Sequence, residues 1–98
     1  MTPVTAIAWL GDALRLIDQR KLPHSAEYLT LTDAGGVARA ITDMAVRGAP
    51  AIGIAAAWGV VLAAQAHERR YGGDRRGWRS ALQQDIDLLA ASRPTAVN

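Results

Sequence analysis

From Ala49 to Ala66 the chain runs through 18 consecutive residues without a charged side chain. A stretch this long and apolar either crosses a membrane or lies buried on most sides of a soluble core. Its composition favours the core: alanine dominates, Pro50, Gly53 and Gly59 interrupt it, and Gln65 sits near its end. The run is therefore expected to form a central helix from about Pro50 to Ala66 or slightly beyond, with no membrane partner. Gly53 with Ala57, and Gly59 with Ala63, stand four residues apart on shared sides of that helix. Such small pairs let another backbone approach closely.

The remaining residues must cover this helix, and the chain has few bulky side chains for the task. Half of its 98 residues are hydrophobic, yet it has three Trp, two Tyr and no Phe. The core is expected to be mainly Ala, Leu, Ile and Val. A domain of this size buries roughly 60–70% of the surface its unfolded chain exposes. With 11 basic and 9 acidic side chains, the formal net charge is only +2, too weak to imply a polyanion partner by itself. No cysteine is present, so disulfides and thiol nucleophiles are excluded. That suits a cytoplasmic protein. Met1 to Gly11 has neither the basic region nor the long apolar stretch of a secretion signal.

Before the central helix the pattern is that of short strands. Ile7, Trp9 and Leu10 form the first, Gly11-Asp12 marks a turn, and residues 13–18 form the second. Lys21 to Ser25 is a loop containing Pro23, and Tyr28 to Leu31 is a third strand by composition. Thr32 or Asp33 then caps a helix whose apolar side holds Val37, Ala38, Ile41, Met44 and Ala45. It is expected to end near Val46, with fraying at Gly35 and Gly36. Beyond the central helix, Glu68-Arg69-Arg70 marks its exit to solvent. Gly72-Gly73 is a loop, and Asp74 caps a further helix with Trp78, Leu82, Ile86 and Leu89 on one stripe. Pro94 ends that helix, and Thr95 to Asn98 begins another. The expected class is α+β: a short antiparallel N-terminal β-meander of about three strands, then three packed helices and the start of a fourth.

Val46 to Gly53 reads V-R-G-A-P-A-I-G, and it is the segment richest in chemistry. Arg47 carries a fixed charge, Gly48 permits unusual backbone geometry or close approach of a ligand, and Pro50 suits a first helical turn. An arginine beside a helix start is a plausible anion seat, since free N–H groups and the helix dipole both favour negative charge. The plainer alternative is a surface arginine paired with a carboxylate. Arg93, near a helix end, has a fully structural alternative of its own. Arg69, Arg70, Arg75, Arg76 and Arg79 form the densest basic run, which reads as a solvated surface rather than a nucleic-acid site. His24 and His67 lack metal-ligand spacing, so no metal site is expected. Asp18, ahead of Gln19-Arg20, reads as a turn-stabilising side chain, and Trp9 as core or interface.

Three segments together carry a resemblance: Leu16 to Pro23 (L-I-D-Q-R-K-L-P), Ala40 to Gly53 (A-I-T-D-M-A-V-R-G-A-P-A-I-G) and Ser92 to Asn98 (S-R-P-T-A-V-N). In identity, order and spacing they resemble the beginning of methylthioribose-1-phosphate isomerase. The resemblance implies that residues 1–98 are the N-terminal domain of a longer isomerase, whose Rossmann-like C-terminal catalytic domain is absent from this chain. It implies that Arg47, Gly48, Ala49 and Arg93 contact a sugar phosphate. The catalytic cysteine and aspartate belong to the later domain, so no residue here is assigned catalysis, and Asp18, Asp43 and Asp85 are not substitutes. Gly35-Gly36 departs from the family's pattern, in which acidic, helix-favouring residues are expected.

The resemblance further implies conversion of 5-methylthioribose 1-phosphate to 5-methylthioribulose 1-phosphate in methionine salvage, in a cytoplasmic homodimer. It implies no cofactor, metal, nucleic acid or membrane. The isolated chain is expected to be inactive. Two alternatives share the superfamily: a ribose-1,5-bisphosphate isomerase, and a regulatory subunit of the translation-initiation guanine-nucleotide exchange factor that acts by protein interaction. A third is a free-standing helical binding module.

Overall fold

The computed structural model describes residues 6–92. Three strands, β1 (Ile7–Trp9), β2 (Leu14–Ile17) and β3 (Tyr28–Leu31), precede three helices, α1 (Ala34–Thr42), α2 (Ala49–Tyr71) and α3 (Arg75–Ser92). The expected α+β order is therefore present. The start of a fourth helix at Thr95 falls outside the described residues.

The sheet is an antiparallel meander in the order β1-β2-β3. Leu14 lies opposite Trp9 on one side and Leu31 on the other, and Leu16 lies opposite Ile7 and Leu29. This register puts the alternate apolar residues of β2 on the helix-facing side, where Leu14 and Leu16 are buried. Alternation fails at Ile17, which is buried as well. The segment leading into α2 covers that side of the sheet, and Val46 and Ala51 line the same small cavity as Ile17.

Aspartates start most of the helical turns. Asp33 accepts the Gly36 N–H at 2.6 Å and fixes the start of α1. Gly36 leaves room for that cap, since a Cβ there would stand 3.2 Å from the Asp33 carboxylate. Asp74 accepts the Gly77 N–H at 3.1 Å ahead of α3. Asp18 accepts the Arg20 N–H at 3.0 Å and caps a single 3-10 turn, Gln19–Lys21.

Helix α1 is shorter than the sequence pattern suggests. It stops at Thr42 instead of near Val46, because Met44 takes the left-handed conformation, φ 64°. The Met44 N–H then bonds the Ile41 carbonyl at 3.1 Å, and the Ala45 N–H bonds the Ala40 carbonyl at 2.9 Å. This pair of reversed bonds satisfies the helix's last carbonyls. Met44 was expected on the apolar side; the reversal turns it outward, and it is 51% exposed. Ala45 and Val46 remain buried.

Helix α2 packs against α1, α3, β1 and β2. By length and composition it could cross a membrane. In this fold its inner side joins a core of Leu14, Leu16, Val37, Ile41, Leu62 and Leu89. It runs five residues past Ala66 to Tyr71, where Gly72 turns the chain at φ 56°. Arg69 and Arg70 in its last turn suit the negative end of the helix dipole. The Gly59–Ala63 pair admits a neighbour as expected: a Cβ on Gly59 would stand 3.0 Å from Leu89 and 3.2 Å from Val37. The Gly53–Ala57 pair admits nothing among the described residues. Both residues are exposed, and the space beside Gly53 is open.

Candidate functional site

Between α1 and α2 the chain turns sharply over residues 43–48. The reversal at Met44 buries Ala45 and Val46 and leaves Arg47 exposed at the outside of the corner. Gly48 follows as the N-cap of α2, with φ 92° and ψ 134°. That region is open to glycine and strained for other residues. Nothing lies within 4 Å of a Cβ built on Gly48. Of the two reasons for a glycine weighed from sequence, the described residues display the conformational one.

The same corner leaves donors free. The first intrahelical bond of α2 runs from the Ile52 N–H to the Gly48 carbonyl, at 2.9 Å. The N–H groups of Gly48, Ala49 and Ala51 precede it and have no intrahelical acceptor, and Pro50 has no N–H to satisfy. Gly48 supplies no side-chain cap. Helices α1 and α3 and the 3-10 turn each have an aspartate at this place. Helix α2 has an arginine beside it instead. Arg47 makes no ion pair with a carboxylate among the described residues, where the two salt bridges are Arg20–Asp18 and His67–Asp85. The paired-arginine alternative therefore finds no support there. The positive pole of a 23-residue helix and its free N–H groups thus stand next in the chain to an exposed arginine.

A latch at the end of β2 holds this corner. Arg20 reaches back to buried Asp18 with Nε to Oδ1 at 2.9 Å and Nη2 to Oδ2 at 2.8 Å. These bonds hold the Asp18 carboxyl below its ordinary pKa, against the opposing effect of burial. The latched turn presents the Gln19 N–H to the Ala45 carbonyl at 2.9 Å, two residues before Arg47. Asp18 thus stabilises a turn, as read from sequence, and through that turn it positions the corner. The tie from Gln19 to Ala45 is long-range, and no local pattern announces it.

Arg47, Gly48 and Ala49 are contiguous and meet at the corner; Arg93 lies outside the described residues. Ser92 precedes it, and the Ser92 carbonyl accepts the Thr42 hydroxyl at 3.3 Å. The last described residue of α3 thus lies against the end of α1, from which the corner departs. The cavity beside Arg47 measures about 20 Å³, room for roughly one water. The corner is an open seat. A hollow of about 380 Å³ lies between α1 and α3, lined in part by Arg39, Thr42 and Ser92. Another of about 310 Å³, at the α2–α3 turn, is lined by Glu68, Gly72, Gly73, Arg75 and Trp78. Neither includes Arg47.

The other polar groups have structural partners or face solvent. Arg69, Arg70, Arg75, Arg76 and Arg79 are exposed around the α2–α3 turn. Trp78 is half-buried and its indole N–H donates to the Ala64 carbonyl at 3.4 Å. Trp9 stacks on Trp58 with ring centres 4.4 Å apart, a packing role. His67 Nε2 lies 2.6 Å from Asp85 Oδ2, tying α2 to α3. That tie was missed because its partners are 18 residues apart on different helices. Among the described residues no group of three or more potential metal ligands occurs.

Fold and corner together define a class: a small α+β module with an arginine and an uncapped helix start open to an anion. The chain is similar over nearly its whole length to proteins named methylthioribose-1-phosphate isomerase, as its three sequence segments suggested. It is 56% identical over 95 residues to that of Thioalkalivibrio sulfidiphilus, covering 97% of this chain and 26% of the relative. It is 58% identical to that of Pseudomonas paraeruginosa, covering 97% of this chain and 25% of the relative. Among solved structures, 5-methylthioribose 1-phosphate isomerase from Pyrococcus horikoshii OT3 superposes with a TM-score of 0.84 at 32% identity. That match covers 95% of this chain and 25% of the other. Translation initiation factor eIF-2B, subunit delta, from A. fulgidus superposes at 0.80 with 41% identity, covering 97% of this chain and 27% of the other. No family model matches. The chain thus spans about a quarter of the length of the curated relatives it matches.

Proposed function

We propose that this chain is the N-terminal, substrate-binding part of an aldose–ketose isomerase that converts 5-methylthioribose 1-phosphate to 5-methylthioribulose 1-phosphate. The observation that carries the reading is the uncapped start of α2 beside Arg47. The names of relatives at 56% and 58% identity suggest the substrate. Arg47 and the N–H groups of Gly48 and Ala49 grip the phosphate, and Arg93 adds a second guanidinium fork. The phosphate ester on the anomeric carbon blocks simple ring opening, so the reaction needs a shielded site and a placed acid. Binding energy from the phosphate then orients the reacting carbons. The acid and base come from polypeptide outside this chain. The working enzyme is a cytoplasmic homodimer without a cofactor.

A second reading is a regulatory subunit of the initiation-factor type. The 41% identity and TM-score of 0.80 to the A. fulgidus protein favour it. A test of the isomerase reading is a chimera in which this chain replaces the matched quarter of the T. sulfidiphilus relative. It should isomerise 5-methylthioribose 1-phosphate, and Arg47→Ala should lower its kcat/KM at least tenfold, about 1.4 kcal/mol. An inactive, well-folded chimera would favour the second reading, and unchanged kinetics in the variant would remove Arg47 from the site. The 98-residue chain alone should show no turnover.

A further inference from the structure

Helix α2 is apolar almost all round in its first four turns, yet only four of its 23 residues are buried. A helix of that kind is normally covered on every side. The uncovered side is formed by Pro50, Gly53, Ile54 and Ala57, spaced as one face of a helix and all exposed. Ile54 is 50% exposed, and nothing stands within 4 Å of a Cβ built on Gly53. The face continues without a polar break into a groove of about 220 Å³ between α2 and α3, reaching from Ala57 and Val60 to Ile86 and Ala90. Small residues on a ridge beside an apolar groove suit close packing by another element.

The length of the relatives points to the occupant. This chain corresponds to about a quarter of each, so roughly three times its length of polypeptide lies outside the match. We propose that the Pro50–Ala57 face of α2 and its groove are the docking surface for that remaining polypeptide, through an apolar element seated on Ile54 and Ala57. The face begins two residues past Gly48, so an element seated there also walls the open corner at Arg47. Docking rests on the match in length and on the exposed face; it stands or falls apart from the phosphate reading.

This chain has no cysteine, so one thiol can be placed within it and followed peptide by peptide, apart from any cysteine in the rest of the chimera. Ile54→Cys and, as an exposed control, Arg76→Cys are introduced separately into the T. sulfidiphilus chimera. Maleimide labelling at each position is followed by peptide mass spectrometry. The proposal expects position 54 to label roughly tenfold or more slowly than position 76, as protection by burial requires. Equal labelling, or a chimera that does not assemble into soluble protein, overturns it. Sedimentation of the 98-residue chain with and without Ile54→Lys, and co-sedimentation with neutral lipid vesicles, test the other occupants. A dimer lost on substitution assigns the face to a second copy, and vesicle binding lost on substitution assigns it to a membrane; either overturns the proposal. Labelling reads docking, whereas turnover by the same chimera reads the site, so the two ideas fail separately.

Discussion

Replacing Gly48 by alanine should destabilise the chain although the new methyl group meets nothing. No heavy atom lies within 4 Å of the Cβ position, so steric overlap contributes nothing. The cost lies in the backbone: φ 92° with ψ 134° suits glycine and strains an L-residue, by about 1–3 kcal/mol. As the N-cap, Gly48 lies outside the helix, so alanine gains no full interior propensity to offset this. At roughly 4–8 °C per kcal/mol for a domain near this size, a 2 kcal/mol loss lowers Tm by about 8–16 °C. Gly53→Ala is the matched control. It too has open space at Cβ, but it lies inside α2, so alanine should stabilise by about 0.8–1 kcal/mol. Thermal melts by circular dichroism on the two variants and the parent decide the matter. A Gly48→Ala variant as stable as the parent would show that the corner does not need this conformation, and the glycine would then have to be explained by close ligand approach.

Other consequences concern the latch, the end of α1 and the core. Asp18→Ala removes the cap of the 3-10 turn and should cost about 0.5–2 kcal/mol in urea unfolding; an unchanged midpoint would remove the latch from the account. Because Arg20 holds the folded carboxyl of Asp18 below its ordinary value, the stabilisation it provides is present above that value. It is lost as pH falls through the depressed folded pKa, so Asp18→Asn should flatten the acid limb below about pH 4, measured by unfolding at stepped pH. Met44→Gly relieves a left-handed non-glycine residue and should raise Tm by a few degrees, the relief of about 1–2 kcal/mol being partly offset by glycine's greater unfolded entropy. Gly59→Val places a branched side chain where a Cβ already stands 3.0 Å from Leu89, and should destabilise by about 1–3 kcal/mol.

Much of the order of elements was legible because it is written in local periodicity. Alternation at Leu14 and Leu16, the turn at Gly11-Asp12 and the stripe from Trp78 to Leu89 involve neighbours along one element. The corner residues Arg47, Gly48 and Ala49 were legible for a similar reason: a helix start with proline in its first turn announces itself. The early end of α1 was not, because the pattern Val37, Ala38, Ile41, Met44, Ala45 continues through a reversal that a methionine adopts at unusual backbone angles. Ala45 is buried with either path, so hydrophobicity alone does not mark the break. The bonds from Gln19 to Ala45 and from His67 to Asp85 join segments far apart in sequence and leave no local trace. The two small-residue pairs of α2 read alike but differ in the fold, because which side of a helix meets a neighbour depends on elements elsewhere.

Among the described residues three helical starts are capped by aspartate, and the fourth, that of α2 beside Arg47, has no side-chain cap; the proposal is that an anion takes that place. An amide-resolved NMR titration of the 15N-labelled chain with 5-methylthioribose 1-phosphate tests this most directly. The account predicts shifts concentrated at the N–H groups of Gly48, Ala49 and Ala51, reproduced by inorganic phosphate and abolished by Arg47→Ala. Shifts centred on the arginines of the α2–α3 turn, or no response at the start of α2, would contradict it.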